Sequence, residues 1–565
     1  MLSRQPGGST GLARPAFPAW RPFFFRFSFA PRNQGRRVGL AMDTMRTILL
    51  AAAALAGVAA PGAGQPAPVA PFESPSEVAV RTPLDVHVLA RLKEKRLVPA
   101  FPCSDAVFLR RVFVDLIGTL PTPEEARAFL GDQTPGKRAR LVESLFGRDE
   151  FADYWAMKWC DVLRVKAEFP VNLWPNAVQA YHRWIRDAVR TNRPYDQFAR
   201  ELLTASGSNF RVPPVNFLRA VQGREPSALA AAAGLTFMGT RLDRWTPAKR
   251  AGLEAFFSRV EYKQTGEWKE EIVQLDPAPT TPLRAVLPDG TRVTVAASDD
   301  PRHVFADWLV APGNPWFARA MANRAWSWFF GRGIVHEPDD IRPSNPPVNP
   351  ALLAFLEKEF TASKFDLRQL MRLIVNSATY QQSSIAQGDP SRAAEFFACY
   401  PVRRLEAEVL ADALNALAGR GESYQSPIPE PFTFTPESQR AIALPDGSIT
   451  SSFLEMFGRP SRDTGLESER NNQPTDAQRL HFLNSSNVQR KIEQGLRFRR
   501  LIEDARGNRG RMVDNIYLSI VSRFPTPAER EVVRSQFPPG GGNARAAAAD
   551  LAWALLNSKE FLYRH

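Results

Sequence analysis

The chain has 565 residues, 44% hydrophobic and 23% charged, ordinary globular values that allow two or three domains, each burying its own core. Of the formal net charge of +13, residues 1–64 supply +7 through eight Arg against one Asp. The remaining +6 is interspersed with acidic residues, not gathered on an aromatic-laced face, so nucleic acid is excluded as an expected partner. The three cysteines, Cys103, Cys160 and Cys399, are too far apart for a disulfide framework or a cysteine metal cage, and each is expected to be a small buried apolar residue.

The first predicted element is a leader. A basic start at Arg46, an apolar run from Ile48 to Ala60 and small residues near Ala63-Gly64 read as a signal peptide over about 42–64, with residues 1–64 absent from the mature protein. That run is short for a membrane span, and no other charge-free segment reaches spanning length. The expectation is an exported protein, periplasmic, in the cell envelope or secreted, with no transmembrane span in the mature chain.

A Pro/Ala-rich linker over 65–80 leads into helical patterning over 81–262. "LDVHVLARLKEKRL" places Leu84, Val88 and Leu92 on one face. "IGTLPTPEEARAF" then supplies Thr122 as N-cap, Pro123 in the first helical position and Glu125 to close a capping box. The device recurs in "VSRFPTPAEREVV", with Thr526, Pro527 and Glu529; no regular period links the two copies, so they are a shared hairpin solution and not a solenoid. Between them, over 263–299, Pro288-Asp289-Gly290 separates two short alternating runs and predicts a β-hairpin; Pro445-Asp446-Gly447 predicts a second. The block 300–565 opens with an aromatic helix from about Pro315 to Phe330, capped by Asn314 and stopped by Gly331. The helical spacing of Trp308, Trp316, Trp326, Trp328, Phe329 and Phe330 favours core over a sugar-stacking face. The fold class expected is mainly α: two helical domains with a small β-hairpin insertion between them.

The long phrases carry a resemblance. "LRRVFVDLIGTLPTPEEARAFL", "YWAMKWCDVLRV" and "NRPYDQFARELL" resemble the planctomycete-specific cytochrome-type domain two; "FADWLVAPGNPWFARAMANRAWSWFFGRGIVHEPDDIRPSNPPVNPALL", "LIVNSATYQQSS", "FGRPSRD" and "ALLNSKEF" resemble planctomycete-specific domain one. Both domains are of unknown function. The resemblance implies a Cys-x-x-Cys-His haem-attachment segment between a Phe-Leu-Gly and a Trp-Thr. Here Phe237-Met238-Gly239 and Trp245-Thr246 stand as flanks, with only Thr240, Arg241, Leu242, Asp243 and Arg244 between them. Thioether attachment needs two thiols and an adjacent imidazole, so no covalent haem and no other cofactor are expected.

Two loops hold the candidate chemistry. "HEPDD" gathers His336, Asp339 and Asp340, groups of a kind that can hold Ca²⁺, but it lacks a Gly-anchored twelve-residue cation loop, and its carboxylates can instead cap a helix or pair with Arg342. "GRPSRDTGLESERNN" supplies Arg462, Glu467, Glu469 and Arg470, suited either to acid–base work or to an ion-pair network that knits the loop to its helices; the network is preferred. Neither a G-x-S-x-G elbow, a P-loop nor a dinucleotide fingerprint occurs. Three functions follow in order: a non-redox accessory or binding scaffold of the cell envelope for a protein or glycan partner; a hydrolase of extracellular polymer acting through loops 336–342 and 459–471; and a cytochrome-like redox protein, which fails on cysteine count.

Overall fold

Helix boundaries follow from capping chemistry. In the computed structural model, which describes residues 67–76, 78–536 and 544–565, the Thr122 hydroxyl accepts from Glu125 N while the Glu125 carboxylate accepts from Thr122 N at 2.8 Å, opening the helix Pro123–Gly131. The same box recurs at Thr526 and Glu529. The leader and its cleavage region lie outside the described residues. Asn314 Oδ1 accepts from Trp316 N and Phe317 N, and Gly331 at φ 69° closes the aromatic helix Phe317–Phe330 in the left-handed conformation that favours glycine. Trp326, Trp328, Phe329 and Phe330 are buried, whereas Trp308 and Trp316 pack at the margin of the core.

The protein is mainly α, and the segments 81–262 and 300–565 meet across shared apolar packing. Trp155 and Trp159, on the helix Asp149–Val162, lie 5.3 and 5.7 Å from Trp328, ring centre to ring centre. Tyr195 stacks on Phe317 at 4.6 Å, with the two planes 9° apart. Burial of such rings is worth roughly 1.5–3 kcal/mol each. Polar groups lock the same boundary. Asp85 accepts from Ala378 N and Thr379 N, each at 2.9 Å. Asp115, fully buried, accepts from Tyr380 Oη at 2.8 Å, Tyr400 Oη at 2.9 Å and Arg564 Nη1 at 2.6 Å. Arg564 also pairs with Glu406, which receives Lys158 Nζ at 2.6 Å.

Strands are few and short. β1 (Gly207–Ser208), β2 (Val260–Gln264) and β3 (Glu271–Leu275) form an antiparallel sheet in the order β1-β3-β2, with Val273 opposite both Gly207 and Tyr262. β4 (Leu283–Val286) and β5 (Arg292–Val295) form the hairpin expected around Pro288-Asp289-Gly290, and β6 (Arg403–Arg404) pairs with β7 (Tyr563–Arg564). The second Pro-Asp-Gly turn builds no hairpin. The Asp446 carboxylate turns inward and accepts from Ala167 N at 2.9 Å and Ser448 N at 2.8 Å, while Gly447 N donates to Val165 O. The turn is therefore bound to the Val165–Ala167 backbone and has no ladder of its own. Among the described residues no helix is long and apolar enough to cross a membrane.

Candidate functional site

Lys158 and Asp161 project from the helix Asp149–Val162, Arg324 and Trp328 from Phe317–Phe330, and Glu408 from Ala407–Ala418. Onto these three helices the two candidate loops descend. They meet at Asp339, a buried carboxylate that accepts from Arg324 Nη2 at 2.9 Å and from the backbone N–H of Glu467 at 2.7 Å. Arg324 also donates to Thr236 O at 2.6 Å and Leu235 O at 3.1 Å. One guanidinium thus joins the end of the helix Pro226–Met238 to both acidic loops.

The arginines of the second loop are anchored just as firmly. Arg470 donates to both Glu408 oxygens, at 2.7 and 3.0 Å, and to Asp161 Oδ2 at 2.7 Å. Arg462, with no exposed side-chain surface, donates to Asp161 Oδ1 at 2.9 Å and Pro445 O at 3.1 Å. Glu469 staples its own loop: it accepts from Ser461 Oγ at 2.6 Å, Thr464 Oγ1 at 2.7 Å and Asp463 N at 2.8 Å. Asp340 accepts from Arg342 Nε at 3.0 Å. His336 is half-exposed, with Nε2 3.9 Å from Glu337, and among the described residues no three His, Cys, Asp or Glu side chains converge as a metal site would require.

Glu467 differs from the other candidates. Like Glu469 it makes no salt bridge among the described residues, but its carboxylate accepts from a helix-borne side chain, Trp328 Nε1 at 3.1 Å, and not from its own loop. It lines a small cleft of about 260 Å³, mouth included, together with Lys158, Asp161, Trp328, Pro460 and Arg470. Burial raises the Glu467 pKa, and Asp339 reinforces the rise against the opposing pull of Lys158. Burial also lowers Lys158 to about 7, with Arg470 adding to it. For Glu408, burial works to raise the pKa, but the Arg470 charge and hydrogen bonds prevail and hold it at about 2.

Helix-borne Lys158, Asp161, Arg324 and Glu408, with Glu406 at the N-cap of Ala407–Ala418, are the parts of this network that sequence reasoning missed. The available signal was their position: charged residues placed among Trp155, Trp159, Val409 and Leu410, in turns otherwise filled by core side chains.

The join between Phe237 and Trp245 is an ordered turn. Gly239, at φ 58°, ends the helix Pro226–Met238; Leu242–Arg244 forms one 3₁₀ turn; Thr246 caps the helix Pro247–Glu254. Ile341 N donates to Gly239 O at 2.8 Å, so loop 336–342 rests on the turn. All three cysteines are buried and unpaired, and burial pushes the Cys160 thiol up to about 12 and Cys399 to about 11.

Residues 83–261 match the family described as PSCyt2, a protein of unknown function (DUF1549), and residues 301–537 match PSD1, a protein of unknown function (DUF1553). No curated protein and no solved structure matches the chain. The chain therefore belongs to the proteins that carry a PSCyt2 domain followed by a PSD1 domain.

Proposed function

We propose that this is an exported, non-redox accessory or binding protein of the cell envelope, whose charged loops hold its two family segments together. The observation carrying this reading is the occupancy of the loops: Asp339, Asp340, Arg462, Glu469 and Arg470 each have a partner within the protein. Arg462 and Arg470 are engaged with buried or partly buried carboxylates on helices, so removing either weakens a buried charge network, whereas Asp340 and Glu469 serve to hold the conformation of their own loops. The shortened join, which has no thiols and no imidazole, supports the non-redox part, and purified protein is expected to show no Soret absorbance. The export reading rests on the leader sequence, and secretion of a fusion bearing residues 42–80 tests it.

A second reading has one observation in its favour. Glu467, outside any salt bridge, faces the same small cleft as Lys158, whose amine burial brings to about 7, and such a pair can move a proton near neutral pH. The cleft is too small to seat a polymer, so the scaffold reading is preferred. Glu467→Gln separates the two: the scaffold reading expects altered stability and no loss of any turnover, and the enzyme reading expects the reverse.

A further inference from the structure

Three aromatic side chains from distant parts of the chain meet at the surface. Trp268 lies 4.6 Å from Trp174 and 5.8 Å from Phe432, and Trp174 lies 5.6 Å from Phe432, ring centre to ring centre. Trp268 is 62% exposed and Phe432 42%, and the loops that carry Trp174 and Phe432 also present the exposed Phe169 and Phe434. Core packing does not explain rings left in water in this number.

The cluster is built and held. Trp268 and Lys269 form the tip of the β2–β3 hairpin. The tip is braced by Asn209 Nδ2 donating to Lys269 O at 3.1 Å and by Glu270 accepting from Ser208 Oγ at 2.5 Å and Thr265 Oγ1 at 2.9 Å. Trp174 precedes the helix Pro175–Arg190 at φ 73°, ψ 146°, a conformation that is strained for any residue but glycine, and its buried indole N–H finds no acceptor among the described residues. Lys269, itself at φ 63°, holds its ammonium 5.2 Å from the Trp174 ring centre and 6.0 Å from that of Trp268. Among the described residues Lys269 forms no ion pair; the hairpin-tip carboxylates Glu267 and Glu270 lie nearer Arg211, at 3.8 and 3.7 Å.

The exposed rings of Trp268 and Phe432, inclined 58° to each other beside the partly buried Trp174, offer faces that suit the C–H face of a pyranose, whose weakly positive hydrogens meet the negative π-face. An ammonium without a carboxylate partner at the platform calls for an anion on that sugar. We propose that Trp174, Trp268, Phe432 and Lys269 form a binding platform for an acidic sugar residue, a uronate or a sulfate ester, in an extracellular polysaccharide. This deepens the scaffold reading by naming its ligand class, and it rests on that reading.

The test is affinity electrophoresis of the full chain through gels containing polygalacturonate, dextran sulfate or neutral dextran, with binding constants from titration. Retention by polygalacturonate alone assigns the carboxylate, retention by dextran sulfate alone assigns the sulfate ester, and dextran retards the protein least. Trp268→Ala is expected to weaken binding to the acidic polymer about tenfold. Lys269→Gln is expected to bring that binding down to the level of dextran. Both positions are exposed, so thermal unfolding of the variants should match the parent, which separates lost binding from lost fold. Equal retention by dextran, no retention by either acidic polymer, or retention that survives Trp268→Ala overturns the platform. The scaffold reading fails on a different result, Glu467-dependent cleavage of the polymer.

Discussion

Replacing Arg470 with Met keeps much of the side chain's stem and deletes its charge. The guanidinium is 5% exposed and faces Glu408, which is fully buried, and Asp161, which is 15% exposed. Removing one partner of a buried pair costs about 3–5 kcal/mol. The low end applies, because Asp161 keeps Arg462 at 2.9 Å and Glu408 keeps Arg459 at 3.5 Å. A second route gives a similar figure: lowering Glu408 from 4.5 to about 2 corresponds to about 3 kcal/mol of linked stability. A depressed carboxylate pKa gives stability that is present above the unfolded value and lost as pH falls through the folded one. Urea unfolding should therefore show a deficit of about 3 kcal/mol at pH 7, with an unchanged denaturant slope, and the deficit should narrow between about pH 4.5 and 2. The double variant Arg470→Met/Glu408→Gln should recover part of the loss. A deficit below about 1 kcal/mol, or one indifferent to pH, would refute the claim that this loop is held by buried charge.

Arg564→Met should cost about 3–5 kcal/mol in the same assay, because it strips the partner common to Asp115 and Glu406; a surface-like loss would contradict the shared boundary between the family segments. His182 is held neutral, with burial and then Arg462 lowering its pKa to about 3. Its contribution is complete above about pH 6.5 and is lost as pH falls toward 3, so His182→Leu should flatten the stability profile in that window by up to about 1.4 kcal/mol per pH unit. His565, also lowered to about 3 by burial, should keep the variant acid-sensitive. Gly239→Ala should cost at least about 1 kcal/mol by thermal unfolding, since the residue lies at φ 58° and a Cβ would meet Pro338 O and Ile341 Cδ1 at 3.0 Å. A neutral result there would show that loop 336–342 does not bear on the shortened join.

Local rules made much of the fold legible. Thr122-Pro123-x-Glu125 and its echo at Thr526 specify their own helix starts, and Asn314 with Gly331 brackets the aromatic helix. Pro445-Asp446-Gly447 misled because a turn signal is indifferent to what lies beside it: Asp446 found backbone donors at Ala167 and Ser448, which sequence spacing cannot reveal. The β1 strand pairing with β3 was hidden for a similar reason, since two residues carry no alternation. At the candidate site, the loop carboxylates and arginines could be named from their density alone. Their partners sit on helices, Asp161 and Glu408 far away in sequence and Arg324 on the helix just before loop 336–342, and only the packing of three helices brings them together under the loops. The aromatic platform was illegible for the same reason: Trp174, Trp268 and Phe432 belong to separate segments, and nothing in any one of them marks a surface.

The most direct test of the scaffold claim is to saturate the full chain with the acidic polysaccharide that it retains and then assay new reducing ends and polymer length. The account predicts stable binding with chain length unchanged, in the parent and in Glu467→Gln alike. Shortening of the polymer by the parent that disappears in Glu467→Gln, with folding intact, would contradict it and make the Lys158–Glu467 cleft an active site.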